Sequence, residues 1–315
     1  MPVNHHYSLD EVNAKGVWLT IGAFDGVHLG HQAIIKDLVD RAHAASTSAV
    51  VITFHPHPAT IIRARSGPYY LTEPEYRAKL LGDLGVDIVI THPFNLEISQ
   101  TPADEFVAKI SQRLAPSHLV VGEDFALGRN RAGNVDKLRE LSNVFNYHLE
   151  VVKPIKNDNL VISSSHIRKA LADGDINTAQ MMLGRPYRVS GKVIPGDGRG
   201  RLLGIPTANL DIWSELMLPK SGVYACKASL QGIRLNAVTN IGTRPTFEDQ
   251  NVSLRVETHL LDFNQDLYGE VLHLDFIARL RDELRFANYQ ALIDQINLDI
   301  ASAEKELDGL LLEKE

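Results

Sequence analysis

Between residues 17 and 152, short apolar runs alternate with amphipathic stretches of helical length, and this alternation leaves few folds open. The runs fall at 17–21, 49–54, 86–90, 118–121 and 147–152. In the first interval Ile34, Ile35, Leu38, Val39 and Ala42 recur at helical spacing, and residues 73–84, 103–114 and 132–145 read the same way. Strands separated by helices of that length need crossover connections, which predicts a mainly parallel, Rossmann-like α/β sheet. Ligands of such sheets sit at the carboxyl ends of the strands. The loops after residues 21, 54 and 121 should therefore share one rim.

Past residue 185 the texture changes. Runs at 187–194, 206–210, 222–230, 233–241, 252–260 and 270–277 follow one another with only Gly, Pro and Asn between them. Close spacing without helices predicts antiparallel pairing, closed as a small β-barrel. Residues 163–183 bridge the two regimes as two short helices split at Asp173-Gly174-Asp175. The tail from Asn288 is helical, with Ile293, Ile296, Ile300, Ala303, Leu307 and Leu310 on one seam that should pack on the barrel. The expected division is residues 1–183 and 184–315.

At 315 residues the chain has room for two cores. The net charge of −7 argues against broad binding to nucleic acid or anionic membranes. Cys226 is the only cysteine, which excludes an intrachain disulfide and a thiolate cluster, and its alternating surroundings predict a small core residue. No apolar run approaches the roughly 18 to 20 residues that span a bilayer. The first ten residues carry no basic segment followed by an apolar one, so a cytoplasmic location is expected, with His5 and His6 in a frayed polar terminus.

Two segments are dense in chemistry. Gly22-Ala23-Phe24-Asp25-Gly26-Val27-His28-Leu29-Gly30-His31 lies where a strand hands over to a helix. Its glycines let backbone approach a ligand, and a helix N-terminus presents free N–H groups to phosphate. His28 and His31 bracket Gly30 and can both donate hydrogen bonds to phosphate oxygens. A zinc site is disfavoured, because no cysteine or well-spaced acid supports it. The second segment, Gly196 to Asn209, contains Gly200, Arg201, Gly204, Pro206, Thr207 and Ala208. It lacks the Gly-Lys-Ser/Thr ending of a P-loop and precedes a strand, yet a Gly-rich flap with arginines can fold over phosphates. Thr207 and Asn209 are the oxygen-bearing side chains suited to Mg²⁺.

The string from Gly22 to Gln32 resembles the nucleotidyltransferase signature of bacterial FAD synthetases. Thr53 to Pro58, Gly122 to Gly133 and Ile162 to Arg168 resemble that family's further motifs in order, with departures at Leu127, Asn134 and Val161. Gly196 to Asn209 resembles the riboflavin kinase motif, as do Asn240 to Phe247, Val256 to Phe263 and Arg281 to Phe286. The order of modules is that of the bifunctional bacterial riboflavin kinase/FMN adenylyltransferase family. The resemblance implies two ATP-dependent reactions, riboflavin to FMN and FMN to FAD, with Mg²⁺ or another divalent cation. It implies His28, His31 and Arg168 as the groups stabilising charge in adenylyl transfer, with Gly22, Phe24, Asp25, Gly30, Asp124, Ser164 and Ser165 as ligand contacts. For the kinase it implies Glu257 as the base that takes the ribityl hydroxyl proton. Gly196, Gly200, Arg201, Gly204 and Asn209 are the implied contacts there, with Thr207 and Asn209 at the metal, and Arg281 either joins those contacts or holds the C-terminal loop. The partners expected are ATP, riboflavin and FMN, with no nucleic acid, no membrane and at most weak self-association. The acidic net charge disfavours an RNA-binding relative of the aminoacyl-tRNA synthetases. Glu257 and the two histidines disfavour a non-catalytic flavin carrier, which needs neither a base nor phosphate donors.

Overall fold

The computed structural model describes residues 3–153, 156–157, 160–196, 200, 204–244 and 253–312. The chain divides into two compact units, Met1–Ser164 and Ser165–Glu315.

The first unit is built on six strands in the order Asn4–His6, Ile88–Pro93, Ala49–His55, Trp18–Ile21, His118–Gly122, His148–Val152. Every neighbouring pair is parallel. The helices Leu29–Ala44, Pro74–Asp83, Ala103–Leu114 and Val135–Phe145 supply the crossovers. Two apolar clusters flank the sheet, one around Ile52, Phe106 and Leu138 and the other around Val51, Leu38 and Leu81. Burial on both faces explains why these strands read as unbroken apolar runs.

One expectation is corrected at the N-terminus. Asn4–His6 is no frayed tail but an edge strand whose residues pair with Ile88, Val89 and Ile90. The His5 ring makes a 2.8 Å hydrogen bond with the Thr91 hydroxyl, so the polar residue is satisfied at the sheet edge.

In the second unit, helices Ser164–Asp173 and Ile176–Leu183 lead into a closed barrel. Its order is Tyr187–Ile194, Ala208–Ile212, Ser253–Leu260, Ile233–Arg244, Gly222–Leu230, Val271–Arg281, and the last strand pairs back to the first. All pairs are antiparallel, and closure leaves no open edge. Cys226 is fully buried, and burial pushes its thiol up to about 12. The expected run 206–210 forms two residues later, as Ala208–Ile212, and the run 252–260 is met by the strand Ser253–Leu260.

The helix Tyr289–Leu312 packs Ala303 and Leu307 against Val223, Ala225 and Ile277 of the barrel. A bidentate ion pair fixes it. The Arg281 Nε and Nη2 donate to the Asp299 carboxylate at 2.8 and 2.7 Å, and Asp299 is 4% exposed. Removing one partner of a buried pair strands the other charge. Asp299→Ala is therefore expected to cost about 3 kcal/mol, read as a lower denaturant midpoint for the barrel's unfolding.

No helix among the described residues is long and apolar enough to cross a membrane.

Candidate active sites

The first candidate site forms where the strand Trp18–Ile21 passes into the helix Leu29–Ala44. Its turn is strained: Phe24 and Val27 hold φ of 46° and 41°, unusual for an aromatic and a β-branched residue. Asp25 holds that strain in place. It is 1% exposed, and its carboxylate accepts the N–H groups of Leu71 at 2.9 Å and Thr72 at 3.1 Å. The Thr72 hydroxyl accepts from the Gly26 N–H at 3.1 Å. The Gln32 amide donates to the Val27 carbonyl at 2.9 Å.

On this turn His28 caps the helix. Its Nδ1 accepts the His31 N–H at 3.3 Å, so a neutral His28 carries its proton on Nε2, ready to donate outward. The rings of His28 and His31 stack at 3.5 Å with 17° between planes, and Phe24 meets His31 edge-on at 5.2 Å. A Cβ on Gly30 would come within 3.2 Å of the His28 ring, so the glycine admits the stack. Burial, reinforced by His28 and Arg77, holds His31 well below the usual histidine range.

The other residues expected here are placed as follows. Gly22 sits beneath the Phe24 ring, which a Cβ would approach to 3.0 Å, and Phe24 itself joins the core. The Ser164 hydroxyl donates to the Asp25 carbonyl at 2.9 Å. Ser165 and Arg168 lie on the first two turns of Ser164–Asp173, within the second unit. Asp124 is exposed, and its carbonyl accepts from Arg131 at 2.7 Å. Asn134 caps the helix Val135–Phe145 by accepting the Lys137 N–H at 3.0 Å, a task Asn and Asp perform alike. Leu127 belongs to the core, and the side chain of Val161 lies outside the described residues.

Sequence reasoning missed three buried residues that tie this site together. The Tyr70 hydroxyl accepts the His57 N–H at 2.7 Å, Thr72 clamps Asp25, and Arg77 donates to the Phe54 carbonyl at 3.1 Å. Arg77, Leu81 and Leu84 share one helical face, so a charge in an apolar stripe was the available signal for Arg77.

The second candidate site is a pocket of about 650 Å³ on the barrel. Gly196, Gly200, Thr207, Asn209 and Glu257 line it, together with Phe263 to Tyr268. Glu257 stands in the register row Asn209–Glu257–Asn240, across three adjacent strands. Its neighbours Val256 and Thr258 point into the barrel and are buried, so alternation turns Glu257 to the pocket. A Cβ on Gly196 would lie 2.1 Å from the Asn209 amide, so the flap's start presses on that side chain. The Gly200 carbonyl accepts the Ile205 N–H at 2.9 Å, and the His259 ring reaches the Pro206 carbonyl at 2.7 Å, which fixes the approach to Thr207. Gly204 takes a φ of 75° within the same turn. Among the described residues no group of three His, Cys, Asp or Glu side chains could hold a metal.

Arg201 lies outside the described residues, as do 197–199 and the 245–247 part of the Asn240 motif. Two roles are expected of Arg281, holding the C-terminal loop or contacting substrate. All three of its side-chain nitrogens donate within the protein, to Asp299 and to the Asp282 carbonyl, so it serves the packing of the C-terminal helix.

Residues 10–166 match the FAD synthetase family and residues 183–307 the riboflavin kinase family. A bifunctional riboflavin kinase/FMN adenylyltransferase of Pseudomonas fluorescens is 38% identical, covering 92% of each chain. The chain belongs to that bifunctional family. A second member, from Bacillus subtilis (strain 168), is 34% identical over 97% of this enzyme and 96% of its own length. Among solved structures, one described as a macrolide-efflux protein from Streptococcus pneumoniae superposes with a TM-score of 0.84 at 28% identity. It covers 96% of this enzyme and 99% of its own chain, so the likeness extends through both units.

Proposed function

We propose that the enzyme makes FMN in the barrel pocket beside Glu257 and FAD at the two-histidine turn, drawing on ATP at both. The observation that carries this is the presence of two phosphate-suited constructions of unlike kind, the histidine turn on the first unit and the Gly-rich pocket beside Glu257 on the second.

In the barrel, Glu257 accepts the proton of the ribityl 5′-hydroxyl as that oxygen attacks the γ-phosphorus of ATP and ADP leaves. Asn209 and Asn240, level with it on both neighbouring strands, orient the groups around the transfer. Thr207 and Asn209 offer neutral oxygens in one pocket, a donor set that fits a divalent cation which keeps several waters. When bound, such a cation, Mg²⁺ above all, supplies positive charge to the phosphate oxygens.

At the turn, an FMN phosphate oxygen attacks the α-phosphorus of ATP and pyrophosphate departs, without a protein nucleophile. His28 and His31 donate hydrogen bonds to oxygens whose charge grows in the transition state. Ser164, Ser165 and Arg168 are assigned to phosphate by resemblance to the family's motif, and Asp25 acts by holding the turn. Asp124 stands at the exposed rim. We assign residues 1–183 to adenylyl transfer and 184–315 to the kinase, because the helices up to Leu183 carry Ser165 and Arg168. A reduced, buried Cys226 and the absence of a membrane-spanning helix among the described residues support work in the cytoplasm, with small molecules as partners.

Separate assays test the reading. Purified protein with ATP and riboflavin should consume riboflavin and yield FMN and then FAD, and with ATP and FMN should yield FAD and pyrophosphate. Riboflavin left unconsumed removes the barrel site, and no FAD from supplied FMN removes the site at the turn.

A further inference from the structure

Gly242 is buried on the barrel strand Ile233–Arg244, two residues beyond Asn240. Thr239 and Ile241 are fully buried inside the barrel, so alternation turns Asn240 and Gly242 to its outer face together. Their partners across the ladder are Glu257 and Arg255, which face outward for the same reason. Asn240, Glu257 and Arg255 thus bring polar side chains to one small patch, and the glycine leaves its corner open. Another part of the chain fills that corner. A Cβ on Gly242 would lie 2.4 Å from Oε1 of Glu283 and 2.9 Å from Nδ2 of Asn240. The Glu283 carboxylate therefore sits over the glycine, beside the Asn240 amide and next to the row that holds Glu257.

The residues before Glu283 are pinned. Arg281 is tied to Asp299, and its Nη1 donates to the Asp282 carbonyl at 2.8 Å. The Asp282 carboxylate accepts from Arg279 Nη2 at 2.7 Å. These bonds hold the loop between the last barrel strand and the C-terminal helix without any help from Glu283. Glu283 itself is exposed and could keep its whole charge in open water. Laying its carboxylate on a buried glycine gives up part of that hydration, a cost that closing the loop does not require.

An ionised carboxylate only accepts hydrogen bonds, so an amide turned toward it presents its nitrogen. The amide oxygen of Asn240 is then what remains for a ligand, and it can receive a hydroxyl. We propose that Glu283 is a positioning residue of the kinase: seated over Gly242, it sets the Asn240 amide with its nitrogen inward and its oxygen toward the substrate, where it accepts from a hydroxyl of the ribityl chain. The inference rests on the reading of the barrel pocket as the site that makes FMN. A second hydroxyl held in this way orients the polyol while its 5′ oxygen meets Glu257. Without Glu283 the amide is free to turn and offers the hydroxyl either end.

The test is riboflavin consumption by full-length protein carrying Glu283→Ala, Asn240→Ala or both. Glu283→Ala is expected to lower kcat/KM for riboflavin about tenfold, the weight of one hydrogen bond to a charged group. KM for ATP and FAD formation from supplied FMN should stay at their wild-type values. Because Glu283 acts through Asn240, the double variant should be no slower than Asn240→Ala alone. A residue that merely holds the loop would instead multiply the two losses. Gly242→Ala keeps both side chains but puts a methyl where the carboxylate lies, and it should match Glu283→Ala. No loss from Glu283→Ala, losses that multiply in the double variant, or an equal loss of FAD formation overturns the proposal. Glu257→Gln separates the failures: if it too leaves riboflavin consumption intact, the reading of the barrel pocket is wrong. If it abolishes consumption while Asn240→Ala has no effect, that reading stands and only the role of Glu283 falls.

Discussion

Glu257→Gln is expected to slow FMN formation by about 10²–10⁴-fold, the usual contribution of a general base, while FAD formation from supplied FMN continues at the wild-type rate. The substitution is nearly isosteric, and the strand that carries it is held by pairing on both sides, Asn209 at one neighbour and Asn240 at the other. Val256 and Thr258 remain buried in the barrel, and the Thr258 hydroxyl keeps its 3.1 Å contact with Thr239. Binding of riboflavin and ATP should change little, so the loss falls on kcat rather than on KM. Product analysis by chromatography reads both half-reactions from one preparation. Equal losses in both would show that Glu257 acts on the fold and not on a proton.

His31→Ala should give the reverse pattern, with FAD formation reduced about 10²–10³-fold, the range for removing one donor to developing charge, and FMN formation spared. The backbone N–H that satisfies His28 Nδ1 survives the substitution, so the cap and the helix start are retained. What is lost is the ring stacked on His28 at 3.5 Å, together with its contact to Phe24. His28 is left as the single imidazole donor on the turn. Pyrophosphate release at saturating ATP and FMN measures the effect, and unchanged release would take His31 out of the reaction.

The parts of this fold legible in the sequence were those written in local pattern. Val50, Val51 and Ile52 form a run that only a doubly covered strand tolerates, and the seam through Ala303 and Leu307 declares a helix packed on one face. Asn4–His6 escaped because three polar residues make no run, and their partners lie more than 80 residues along the chain. Of the site, the glycines, histidines and Glu257 stood out through motif spacing. The work of Asp25 did not, since its acceptors are answered by N–H groups at Leu71 and Thr72, set by tertiary folding. Arg281 shows the same limit: an arginine beside a ligand motif reads equally as a loop anchor or a ligand contact until Asp299 arrives from the C-terminal helix. Arg77 was hidden by its helix, where Glu75, Lys79 and Asp83 make a further charge pass for a surface residue.

The most direct test mixes the two damaged proteins. Given riboflavin, ATP and Mg²⁺, Glu257→Gln alone should yield almost no flavin product, and His31→Ala alone should stop at FMN. Combined in one tube they should carry riboflavin through to FAD, because FMN released by one protein enters the intact adenylyl site of the other. If the mixture makes no more FAD than either variant alone, the claim of two independent sites in one chain is contradicted.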